Sequence, residues 1–143
     1  MSWPELLAYW RSKHTGDVPP ARAAIDPISE IPKIVRNLML IDCLADGFHY
    51  RLVGSELAAK VGQDMTGHMA AESGRFDPIL TQRWIAALDL AMRAGEPQLL
   101  RSDLEGGGSI LTLLLPLVSA DGSTVDMLMG GCFPEGPTEG HWH

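Results

Sequence analysis

One long helical period, residues 78–94, separates two groups of strand-forming residues, and this order restricts the available folds more than any other feature of the chain. Asp77 is placed to cap that helix and Pro78 takes its first position. Leu80, Trp84, Leu88 and Ala91/Met92 then recur at helical spacing until Gly95 and Pro97 stop it. Before the helix, Leu38–Cys43 reads as a buried strand, paired across an Ala45-Asp46-Gly47 turn with Phe48–Val53. After it come Gln98–Glu105, a Gly106-Gly107-Gly108 turn, Ile110–Val118, an Asp121-Gly122 turn and Val125–Phe133. Strands at both ends with helices inserted between them specify an α+β fold: one antiparallel sheet with helices packed on a single face.

The flanks add shorter pieces. Ser2-Trp3-Pro4-Glu5 forms a capping box, and Trp3, Leu6, Leu7 and Trp10 then fall on one face of an N-terminal amphipathic helix that ends before Gly16. Residues 17–32 hold four of the ten prolines and read as a connecting segment, with a helical turn after Asp26-Pro27. Gly54 ends the second strand, Ser55 caps a short helix carrying Leu57, Ala58 and Val61, and Gly62 terminates it. The expected division is residues 1–33 as helix and connector, 34–133 as the domain, and 134–143 as a mobile tail.

A chain of 143 residues suits one domain with a sizeable core. Its net charge of −7 opposes binding to phosphate backbones and anionic lipid, so neither nucleic acid nor membrane insertion is expected. No apolar run approaches the roughly 20 residues that cross a bilayer, and a cytoplasmic location is expected. Cys43 and Cys132 lack a CxxC spacing and read as reduced, buried, small apolar residues.

Several segments resemble the PAS domain, in particular the small stand-alone bacterial PAS-like proteins. They are Tyr9-Trp10, Pro20 with Arg22, Ile25-Asp26-Pro27, Ile31-Pro32, Tyr50-Arg51-Leu52-Val53-Gly54, Gly62 with Met65-Thr66-Gly67, Leu115-Pro116-Leu117, and the Asp121-Gly122 turn before Val125–Gly130. The resemblance spans residues 5 to 133. It implies a five-stranded antiparallel sheet of order 2-1-5-4-3, helices over one face, an internal pocket between them, and a sensory or regulatory role.

Motifs for chemistry are weak. Among His14, His49, His68, His141 and His143 no four have ligand spacing, and the pair His141/His143 falls in the tail, so no metal is expected. Haem-binding PAS domains commonly take a histidine from the long helix, which has none here, and His68 reads as an exposed loop residue. Covalent flavin chemistry in PAS relatives needs a cysteine in a short helix, and residues 55–76 contain none. Haem and covalent flavin are therefore disfavoured, and no cofactor is expected beyond an unidentified small ligand. Gly54-Ser55 lacks the second glycine of a hydrolase elbow, and Gly106-Gly107-Gly108 is followed by no helix that would cradle phosphate.

What remains is an apolar interior. Tyr50, Leu52, Trp84, Leu88, Met92, Leu113, Leu115, Met127 and Met129 are the candidate lining of a ligand pocket, as well as ordinary core residues. Tyr50, Trp84 and Thr112 offer polar contacts. Arg51 offers an anion partner only from the face opposite Tyr50. The chain reads as a non-catalytic module acting through protein contacts, with Trp3, Leu6, Leu7 and Trp10 as candidate surface for a second copy or a signalling protein. Alternatives are a ligand-free adaptor, or a small open-cone isomerase- or dehydratase-like enzyme using Asp42, Asp103, Glu105 or Asp126 as acid or base.

Overall fold

The computed structural model describes residues 3–61, 64–72, 78–103 and 107–135. Ser2 of the capping box, the Gly62 stop, the Asp77 cap, Glu105, Gly106 and the tail from residue 136 lie outside the described residues.

Five strands form one antiparallel sheet: β1 (Leu38–Leu44), β2 (Gly47–Val53), β3 (Gln98–Asp103), β4 (Ser109–Val118) and β5 (Val125–Glu135). Their order is β2-β1-β5-β4-β3, so the last strand is inserted between the first strand and β4 and joins the two ends of the chain. Helix α4 (Pro78–Ala94), the short α3 (Ser55–Val61) and a 3-10 turn at Ala70–Glu72 pack on one face, termed inner here. The N-terminal helix α1 (Trp3–Ser12) covers the other, outer face over β4 and β5.

Burial on both faces explains why the central strands are apolar almost throughout rather than at alternate positions. In β4, Leu113, Leu115 and Leu117 point outward to α1, whereas Leu114 points inward. In β5, Met127, Met129 and Phe133 point outward and Leu128 inward. The expectation that Leu113, Leu115, Met127 and Met129 share a face with Trp84, Leu88 and Met92 is therefore corrected: the sheet separates them. The glycine pair of β5 fits between the two layers. A Cβ on Gly130 would lie 2.9 Å from the Met39 side chain on the inner face, and one on Gly131 2.8 Å from Leu6 of α1 on the outer face.

Two local features shift residues from their sequence-derived faces. In β2 the register slips by one, pairing Ile41 with Tyr50 but Leu40 with Leu52, so Arg51 is the extra residue of a bulge. Leu52 is thereby turned to the outer face, 41% exposed, while Val53 packs inward. In α4 the apolar face centres on Leu88 and Ala91 with Trp84, Ile85 and Met92 beside them, and Leu80 is 53% exposed. Eight residues of helix rotate about 80° beyond two full turns, which carries Leu80 off the face of Leu88.

Gly54 answers a close approach. Its amide donates to the Leu38 carbonyl at 2.7 Å, and a Cβ there would sit 2.6 Å from the Val35 carbonyl oxygen. Its own carbonyl accepts from Ala58, so Gly54 rather than Ser55 occupies the cap position of α3.

The proline-rich connector is anchored at Pro20, Ile25 and Pro27. Pro20, Ile25, Pro27 and Ile34 are buried, and the Val118 amide donates to the Pro20 carbonyl at 3.0 Å. A short helix α2 (Pro27–Glu30) begins at Asp26, which accepts from the Ser29 amide. The Tyr9 hydroxyl and the Lys13 ammonium of the N-terminal segment both donate to the Glu30 carboxylate, clasping α1 to α2.

Candidate functional site

Alternation along β2 brings Tyr50 to the inner face, and the helical period of α4 sets Trp84 one turn before the buried Leu88. The Trp84 indole Nε1 donates to the Tyr50 hydroxyl at 2.7 Å, linking helix to sheet. Thr112 and Cys132 lie opposite each other in the β4/β5 register, and their Oγ1 and Sγ atoms are 3.4 Å apart. Two polar pairs thus share an apolar interior otherwise formed by residues such as Met39, Met65, Leu114 and Met92.

Every titratable group of this interior stays neutral at physiological pH. Burial pushes up the Tyr50 phenol, the Trp84 N–H partly opposes this, and the Cys132 thiol adds to it. Burial likewise raises the Cys132 thiol against the hydrogen bond from Thr112. Cys43, at the far end of β1, is pushed up to about 12 by burial, with Asp126 and Asp42 adding to the shift. Among the described residues the one buried charged side chain is Asp42, which sits opposite the outer-face Met127.

Of the sequence-derived pocket residues, the structure brings together Tyr50, Trp84, Leu88 and Met92, with Thr112 on the same face. It turns Leu52, Leu113, Leu115, Met127 and Met129 to the outer face. Sequence reasoning passed over Cys132, Met39 and Met65. Strand parity was the available signal, because the Thr112/Leu113 and Cys132/Phe133 neighbours must face opposite ways.

The candidate contact residues of α1 are engaged within the chain. Leu6 and Trp10 are buried on the outer face, Trp3 and Leu7 are half-buried beside them, and the Trp10 indole donates to the Pro116 carbonyl at 2.8 Å. The acid/base candidates are dispersed. Asp42 is buried on the outer face and accepts from Arg51 Nε at 3.0 Å, with His49 Nδ1 at 3.1 Å, so Arg51 faces away from the inner core. Asp126 is exposed, and Glu105 and the Asp103 side chain lie outside the described set. Among the described residues no three His, Cys, Asp or Glu side chains gather as metal ligands, and no helix is long and apolar enough to cross a membrane.

A sequence model of the PAS domain matches residues 1–132. No curated protein matches the chain. Among solved structures, the PAS domain from Bordetella pertussis BvgS is similar with a TM-score of 0.58 and 16% identity, covering 71% of this chain and 77% of that one. A domain of an HTR-like protein from Haloarcula marismortui gives 0.50 and 15%, over 68% and 96%. The Rhodobacter sphaeroides LOV protein gives 0.50 and 15%, over 99% and 73%. At such identities the likeness is one of fold.

Proposed function

The chain belongs to the PAS domain family, and from that premise we propose that it is a sensory or regulatory module without chemistry of its own, which holds a small molecule in its inner core and signals through protein contacts. The observation that carries this reading is the presence of the Trp84–Tyr50 and Thr112–Cys132 pairs inside an interior that needs no polar groups for packing. Pairing offsets the cost of burying these groups, and a few hydrogen-bonding groups set in an apolar interior suit a site for recognition.

Haem and covalently bound flavin are disfavoured as the ligand, because α4 carries no histidine and residues 55–76 carry no cysteine. Contact with a second copy or a signalling partner uses surface other than the buried stripe of α1, since Leu6 and Trp10 are occupied by the sheet of the same chain.

The test compares native with denaturing mass spectra of protein purified without added ligand, together with its visible absorption. Extra mass that is lost on denaturation supports the reading. A bare mass that persists after incubation with cell extract favours a filled core and an adaptor role.

A further inference from the structure

Within the inner core Tyr50 is a buried residue whose hydroxyl accepts the Trp84 N–H, but its own proton has no acceptor among the described residues. A phenol hydroxyl both donates and accepts, and a buried donor left unmade is costly. Raised by burial, the phenol also keeps that proton throughout the physiological range. Around it the lining is apolar or sulfur-containing, with Met39 and Met65 buried and Met92 half-buried, side chains that adapt to irregular shapes. Among the described residues, Arg51 is turned to the outer face and bonded to Asp42, so it offers no guanidinium to an anion in the inner core. Asp42, the one charged residue that is buried among those described, lies on that same outer face and offers no carboxylate to a cation there.

We propose that the inner core is selective for an uncharged, largely apolar molecule bearing a hydrogen-bond acceptor such as a carbonyl oxygen, which takes the free proton of Tyr50. The Trp84 N–H fixes the orientation of that hydroxyl by occupying its oxygen. This assignment rests on the reading of the chain as a ligand-binding PAS module and adds the chemical class of the ligand.

Three probes of one size separate the contributions: acetophenone, α-methylstyrene, in which a CH2 replaces the oxygen, and benzoate. Each is titrated into the full chain, and binding is followed by chemical-shift changes of the Trp84 indole N–H. The expected result is acetophenone about tenfold tighter than α-methylstyrene, with no binding of benzoate. Tyr50→Phe should bring acetophenone down to the level of α-methylstyrene and leave the latter unchanged. Equal binding of acetophenone and α-methylstyrene to the wild type, or preference for benzoate, overturns the acceptor class while the ligand-binding reading stands. Absence of binding by all three, together with a bare native mass, overturns both. Because the wild-type comparison decides the matter, it does not depend on the variant folding.

Discussion

Trp10 joins helix to sheet through a single indole, whose N–H reaches the Pro116 carbonyl near the C-terminal end of β4. Trp10→Phe keeps most of the apolar contact and leaves that buried carbonyl without its partner, so stability should fall by about 1–3 kcal/mol. Urea denaturation checks this, and an unchanged midpoint would show that the bond contributes nothing net. Gly54 acts through space rather than bonding. Gly54→Ala places a methyl group against the backbone of Val35 and Arg36, which cannot rotate aside, and a loss of about 1–3 kcal/mol or a shift of the β2–α3 junction is expected. Thermal unfolding of the alanine variant gives the answer, and a wild-type melt would mean that the junction is looser than the structure shows. Neither requirement was readable from residue type. A glycine after a strand announces a turn, but that the backbone at Arg36 crosses above it depends on where residues 35–37 return.

At the scale of elements, α1 behaves as a second layer of the core. Leu6→Asp sets a carboxylate against Gly131 and the outer-face leucines and methionines, a desolvation that should exceed about 3 kcal/mol and undock the helix. The expected outcome is a broadened unfolding transition with several-fold higher binding of a hydrophobic dye. A well-folded monomer replacing a wild-type dimer, by light scattering with circular dichroism, would instead restore the stripe of Trp3, Leu6, Leu7 and Trp10 to an intermolecular role. The boundaries of α4 matched the sequence-derived ones because capping and stop signals are local. Its buried face was read less well, since a period counted from Leu80 accumulates rotation before it reaches the core. The bulge in β2 is a property of the pairing with β1, so the alternation of Phe48, Tyr50 and Leu52 gave no warning that Leu52 leaves the row.

For the whole molecule, burial and charge combine in the response to alkali. The Cys43 thiol ordinarily ionises near 9 and is pushed to about 12 in the fold, by burial first and then by Asp126 and Asp42. The Tyr9 phenol is raised to about 12, chiefly by burial, with Glu30 contributing. Both folded values lie above the unfolded ones, so the associated stability is complete below the unfolded values and is lost as pH rises through the folded ones. Urea midpoints should therefore fall steadily between about pH 9 and pH 12, and Cys43→Ala should flatten the lower part of that fall. A midpoint constant across the window would show that neither group is as enclosed as described.

The order of elements and the α+β class followed from signals that the chain carries locally, in turns, caps and periods, whereas the sheet order followed only from the resemblance of segments recurring in family order. The candidate site was legible only in part. Tyr50, Trp84 and Thr112 drew notice as polar residues in apolar surroundings, whereas Cys132 did not, because a cysteine in a strand is usually core. The sequence alone determined which segments are strand or helix, since hydrogen bonding and side-chain period act between near neighbours. Tertiary structure decided which face of the sheet each side chain meets, because α1 competes with α4 for the apolar rows of the same strands. That competition is resolved only when residues more than a hundred positions apart, such as Trp10 and Pro116, come into contact.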